Sequence, residues 1–136
     1  MRKITSFPFT FVDKTPLGKI YRPYAVLQVF SGKTNYWESL RMVIDTGADY
    51  TLLPNKYAKI LGVDLQKDCI PEITLGVGGV ETVYHHKGLK FKLNEFEFEA
   101  PVGFLERNDI PALLGRLRCL EIFKLTFENK VSKFEV

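Results

Sequence analysis

The sequence predicts a mostly β domain: a small closed barrel carrying one or two short helices. Three observations predict it. Short runs rich in aromatic and β-branched residues recur along the chain, and turn-forming clusters separate them. Only two stretches, 55–62 and 117–123, pattern as helices, and both are short. With 46% hydrophobic and 13% aromatic residues, 136 residues suffice for one self-contained core and argue against disorder.

Taken in order, Phe7 to Val12 and Tyr24 to Phe30 read as strands, and Ser31-Gly32-Lys33-Thr34-Asn35 as a turn. Ser39 to Ile44 is a third strand and runs straight into Asp45-Thr46-Gly47. Asn55 to Gly62 is a short helix, capped at or just before Asn55 and stopped by Gly62. Ile73 to Leu75 and Val80 to Tyr84 flank Gly76-Val77-Gly78-Gly79, which makes a hairpin with a glycine-rich tip. Leu89, Phe91 and Leu93 alternate with polar residues, Asn94-Glu95 turns the chain, and Phe96 and Phe98 resume the alternation. This is a second hairpin, extended by Pro101 to Phe104. Ile110 to Leu114 is an apolar strand leading into Gly115-Arg116, and Leu117 to Phe123 is the second helix. Leu125 to Phe127 and Val131 to Phe134, joined by Glu128-Asn129-Lys130, close the chain as a hairpin.

Composition narrows the function. A net charge of +3, spread without a basic block, gives no reason to expect a nucleic-acid partner. No run reaches membrane-spanning length and the N-terminus lacks a continuous apolar stretch, so the expectation is a soluble, cytoplasmic protein with no membrane partner. Cys69 and Cys119 have no neighbouring ligand pattern; they are read as free thiols, with no metal site and no cofactor. Repeats and linker-like stretches are absent, which makes residues 1–136 one domain and, with Met1, suggests a stand-alone protein. No Ser or Cys nucleophile sits in a recognisable motif. His85 and His86 read as exposed strand-end residues, and Glu95 to Glu99 as a solvated strand face.

Three groups of residues carry chemistry. Asp45 ends an apolar strand, where a carboxylate is costly to bury unless backbone donors receive it. Gly47 lets the backbone fold tightly beneath it and aim N–H groups at it. By itself Asp-Thr-Gly also suits an ordinary turn. Ala112-Leu113-Leu114-Gly115-Arg116 is the second group; Arg116 alone would pass for a solvated helix residue. The third is Gly76-Val77-Gly78-Gly79. A phosphate cradle would need a helix after these glycines, but Val80 to Tyr84 alternates like a strand. A tight turn, or a tip that flexes over a bound chain, remains.

In this order and spacing the three groups resemble the retropepsin-like aspartic proteases over roughly Tyr24 to Phe127. The closing hairpin is more similar to cellular and bacterial relatives than to retroviral enzymes. The resemblance implies an acid-protease fold, a peptide or protein substrate, and a homodimer with an isologous interface, because one chain supplies one Asp45 and the chemistry needs two carboxylates. It implies catalytic roles for Asp45, Thr46 and Gly47, with the Thr46 hydroxyl locking the loop against its partner copy. Gly47 and Asp49 would hold substrate backbone, and Gly76, Val77, Gly78 and Gly79 would form a flap. Ala48, Tyr50, Leu52, Pro111 and Leu113 would line side-chain pockets. Arg116 would support the site by pairing with Asp49, a role that suits a planar guanidinium. Tyr50 departs from the acidic residue common at that place in retroviral enzymes. The rival, from another class, is a catalytically silent peptide-binding domain that keeps the fold; a processing enzyme dedicated to one partner is a third possibility.

Overall fold

The computed structural model describes residues 1–76 and 79–136; Val77 and Gly78, expected at the flap tip, lie outside the described residues. The elements in chain order are β1 (Lys3–Pro8), β2 (Thr10–Thr15), β3 (Gly18–Arg22), β4 (Tyr24–Phe30), β5 (Trp37–Ile44), β6 (Thr51–Leu53), α1 (Lys56–Leu61), β7 (Ile70–Gly76), β8 (Gly79–Leu93), β9 (Phe96–Leu105), β10 (Leu113–Leu114), β11 (Lys124–Glu128) and β12 (Val131–Glu135). A single 3-10 turn, Leu120–Ile122, lies between β10 and β11.

The largest sheet has the order β4-β5-β10-β6-β9-β8-β7, and β4 also pairs with β8. That extra pairing, Gln28 with Lys92 and Val29 with Phe91, turns the sheet into a ring of strands with β7 outside on β8. The alternation read in the sequence points inward here. Ala25, Leu27 and Val29 of β4, Leu40 and Met42 of β5, and Phe91 and Leu93 of β8 are all buried in one core. The chain is thus mostly β, as its sequence predicts.

A three-stranded sheet, β1-β12-β11, packs on the ring through Phe134, whose buried ring meets Phe7 and Phe123 edge-on at 6.1 and 5.6 Å. The C-terminal hairpin is therefore present, but its sheet recruits the chain's own N-terminal strand. Phe7 to Val12 is not one strand. Pro8 cannot donate to a ladder, so β1 ends there. The chain then starts a separate hairpin, β2–β3, which sequence reading left undivided.

The first helix forms where expected, with Ala58 and Leu61 inward, but Asn55 does not cap it. The Lys56 N–H donates instead to Asn108 Oδ1 at 2.7 Å. Gly62 stops it at φ 74°, where a Cβ would fall 2.7 Å from the Lys33 nitrogen, so the turn after β4 docks against the helix end. The second helix shrinks to the 3-10 turn because Arg118, at φ 49°, breaks the helical path. Ile110 to Leu114 contributes only Leu113 and Leu114 to the sheet. The two histidines are also corrected. β8 does not end at Tyr84 but runs 15 residues to Leu93, so His85 and His86 sit mid-strand and half-buried. No helix among the described residues is long and apolar enough to cross a membrane.

Candidate active site

The site starts from one topological fact: β10 lies between β5 and β6, which are consecutive in the sequence. Leu113 and Leu114 run parallel to Val43 and Ile44, and Leu113 also faces Leu52 of β6. The link from β5 to β6, residues 45–50, must therefore arch over the end of β10. Its first residue is Asp45.

Backbone bonds hold that arch from below. The Asp45 N–H donates to the Leu114 carbonyl at 3.0 Å, and the Ala48 N–H returns to the Asp45 carbonyl at 3.2 Å. The Arg116 and Leu117 N–H groups donate to the carbonyls of Ala48 and Asp49 at 3.0 and 2.8 Å. Gly115 makes this approach possible. A Cβ there would overlap the Tyr50 carbonyl and lie 2.7 Å from the Thr51 nitrogen. Its own N–H donates to the fully buried Thr51 hydroxyl at 3.1 Å.

Asp45 is half-buried, and its Oδ1 accepts the Gly47 N–H at 3.0 Å. Thr46, Gly47 and Asp49 are exposed around it. The Arg116 guanidinium pairs with Asp49 and reaches the Ala48 carbonyl with Nε at 3.4 Å. Cys119 lies beneath, fully buried. Burial pushes its thiol up to about 11, outweighing a hydrogen bond with Thr51 that pulls the other way, so it stays protonated and carries no nucleophilic chemistry at neutral pH.

The structure thus gathers Asp45, Gly47, Ala48, Asp49, Tyr50 and Arg116, and it sets Leu52 beside Leu113. Gly76 pairs with Gly79 at the end of the β7–β8 hairpin. Pro111 sits exposed on the segment before β10, without a described bond to the others. Next to the arch runs an open groove of about 420 Å³, lined by Thr46, Arg116, Leu120, Phe123, Leu125 and Phe127 among others. Phe127 and Ile122 stay exposed there or nearby.

Two residues near the site were missed in the sequence. His85 stacks edge-on against Tyr50, with ring centroids 5.0 Å apart, and its Nε2 lies 3.1 Å from Glu72 Oε1 across the β7–β8 hairpin. Val83, Leu89, Phe91 and Leu93 share one parity with His85, but Lys87-Gly88 interrupts the alternation and hides it.

A family model described as aspartyl protease matches residues 30–116. Among solved structures, the chain is similar to a retropepsin-like aspartic protease from Rickettsia conorii. The two are 19% identical, the match covers 95% of this chain and 98% of that one, and the TM-score is 0.61. No curated protein sequence matches the chain.

Proposed function

Since this chain belongs to the aspartyl protease family and has a retropepsin-like fold, we propose that it is an endopeptidase that works as a homodimer. The observation that carries the reading is a single Asp45 arch, braced by backbone and by Arg116–Asp49, beside an apolar groove. Its chemistry needs a second carboxylate, and one chain offers one such arch. A second copy seated on the groove would supply Asp45 and cover Leu125 and Phe127. β11 is the outer strand of the three-stranded sheet, so its free edge faces the same task.

In the dimer two Asp45 carboxylates would lie close together. Like charges so placed cannot both ionise, so the pair would share one proton. The ionised member would take a proton from water as that water attacks the peptide carbonyl, and the protonated member would donate to the carbonyl oxygen. Gly47 and Asp49 would bind substrate backbone at the exposed lip of the arch. Ala48, Tyr50, Leu52, Pro111 and Leu113 would meet side chains. The Gly76 to Gly79 tip would close over the chain.

Cleavage of a diverse peptide library from pH 3 to 8 tests this. Asp45→Asn is expected to lower kcat about a thousandfold or more while keeping the fold. Sedimentation at micromolar concentration should show dimers. A variant that cuts as well as the parent would remove Asp45 from the chemistry. Absence of cuts from a chain shown to be dimeric would favour the peptide-binding alternative.

A further inference from the structure

Beyond residue pair Val83–Leu105, β8 no longer has β9 beside it. From there outward, 73–76 and 79–82 pair only with each other. An isolated two-stranded hairpin is marginal in water, so contacts at its root must set its direction. Most residues beyond the root bury little: Ile73, Leu75 and Val80 are 73%, 86% and 72% exposed.

The root is at His85, which pairs with Ile70 of β7 on one side and Gly103 of β9 on the other. Its ring meets Tyr50, five residues past Asp45, and its Nε2 faces Glu72 on β7. Gly103 makes the room. A Cβ there would come 2.7 Å from Val83 Cγ1, 2.8 Å from Leu52 Cδ2 and 3.6 Å from His85 Nδ1. The hairpin face bearing His85 and Glu72 is therefore the one turned toward the arch. The His85–Glu72 contact lies within the hairpin, across its two strands; among the described residues one ion pair ties the hairpin to the body, Glu81 with Arg107. It is 3.9 Å long, and Arg107 already chelates Asp109 at 2.5 Å.

We propose that His85 is a positioning residue: its ring, held in place by Glu72 across the hairpin, stacks on Tyr50 and so anchors the root of the β7–β8 hairpin to the arch that carries Asp45. This rests on the protease reading for its consequence, which is that the anchor aims the hairpin at bound substrate. Loosening it would weaken substrate binding and leave the carboxylate chemistry intact.

Amide hydrogen exchange on the full chain, with steady-state kinetics, tests the anchor. Glu72→Ala removes the acceptor that holds the ring, and His85→Ala removes both that bond and the ring stacked on Tyr50. Glu72→Ala is expected to speed exchange of the 73–76 and 79–82 amides roughly three- to tenfold, the worth of one net hydrogen bond, and His85→Ala at least as much. Amides of β4 and β9 should not change. The double variant should add little to His85→Ala, because that change already removes the bond. KM should rise by a similar factor at nearly constant kcat, and His85→Gln should restore part of it. Unchanged hairpin exchange in both single variants overturns the anchor, whatever the enzyme does. A fall in kcat at constant KM overturns it too, by placing His85 in the chemistry. If the parent chain cleaves nothing, the protease reading fails and exchange alone decides the anchor.

Discussion

The Asp45 arch and the β7–β8 hairpin that touches it through His85 and Tyr50 are built differently. The arch is held mainly by main chain: four backbone hydrogen bonds and a glycine whose Cβ would collide with Tyr50, with the Gly115 N–H on the buried Thr51 hydroxyl added. The β7–β8 hairpin is rooted on β9 through the ladder at Val83 and His85, but outward of that its ties to the rest of the molecule are side-chain ones: the His85 ring on Tyr50, oriented by Glu72 across the hairpin, and the long Glu81–Arg107 ion pair. The difference teaches where each kind of bond belongs. On the proposed reading, a carboxylate that has to meet its counterpart to within a fraction of an ångström needs a support without rotamers. On the same reading, an element that would let a peptide in and then cover it is better held by contacts worth about 1 kcal/mol each.

The largest expected effect breaks the arch. Gly115→Ala should cost about 3 kcal/mol or more, since the new methyl meets backbone on Tyr50 and Thr51 that cannot step aside. Thermal unfolding should show a fall of several degrees and peptide cleavage should vanish. A stable, active Gly115→Ala would mean the arch is not rigid, and the comparison would collapse.

A smaller effect separates stability from geometry within the arch. Arg116 and Asp49 are well exposed, with side chains 45% and 74% accessible, so their pair should contribute at most about 1 kcal/mol to folding. Arg116→Lys keeps the charge but loses the fork that reaches both Asp49 and the Ala48 carbonyl. The expected outcome is a midpoint within a few degrees of the parent but kcat/KM reduced about tenfold. Equal losses in stability and activity would make the brace structural only.

The same contrast explains what could be read in the sequence. The arch was legible because its parts are contiguous and chemically constrained: Asp-Thr-Gly after an apolar strand, and Leu-Leu-Gly-Arg where a strand must slip beneath it. Asp49 and Arg116 could be matched because both belong to those two motifs. The hairpin root was not legible. Glu72, His85 and Gly103 come from three strands and share no motif, and the Lys87-Gly88 interruption hid that β8 continues past Tyr84. The split of Phe7 to Val12 was missed for a similar reason. Pro8 marks the end of β1, but which sheet each half joins depends on β12, more than a hundred residues away. The second helix failed on Arg118, whose left-handed backbone no helical pattern of neighbours announces.

The two cysteines report on the arch and the hairpin root, and they carry the smallest effect. Cys119 lies under the arch and is buried; Cys69 is half-buried at the start of β7, at the hairpin root. Burial pushes both thiols up to about 11, with Asp68 and Asp64 adding to the rise at Cys69. Both folded values are raised above the ordinary 9.0. The protonated thiols thus favour folding fully below pH 9, and that contribution is lost as pH rises through 11. Unfolding midpoints should therefore fall between pH 9 and 11, and Cys119→Ala should flatten the drop, because Cys119 is the more fully buried. At pH 8 an alkylating reagent should modify Cys69 well before Cys119, since Cys69 is already partly exposed whereas Cys119 is reached only by opening the arch, which breaks backbone bonds. Equal rates at the two thiols would mean that the arch opens freely, and its main-chain support would have no dynamic consequence.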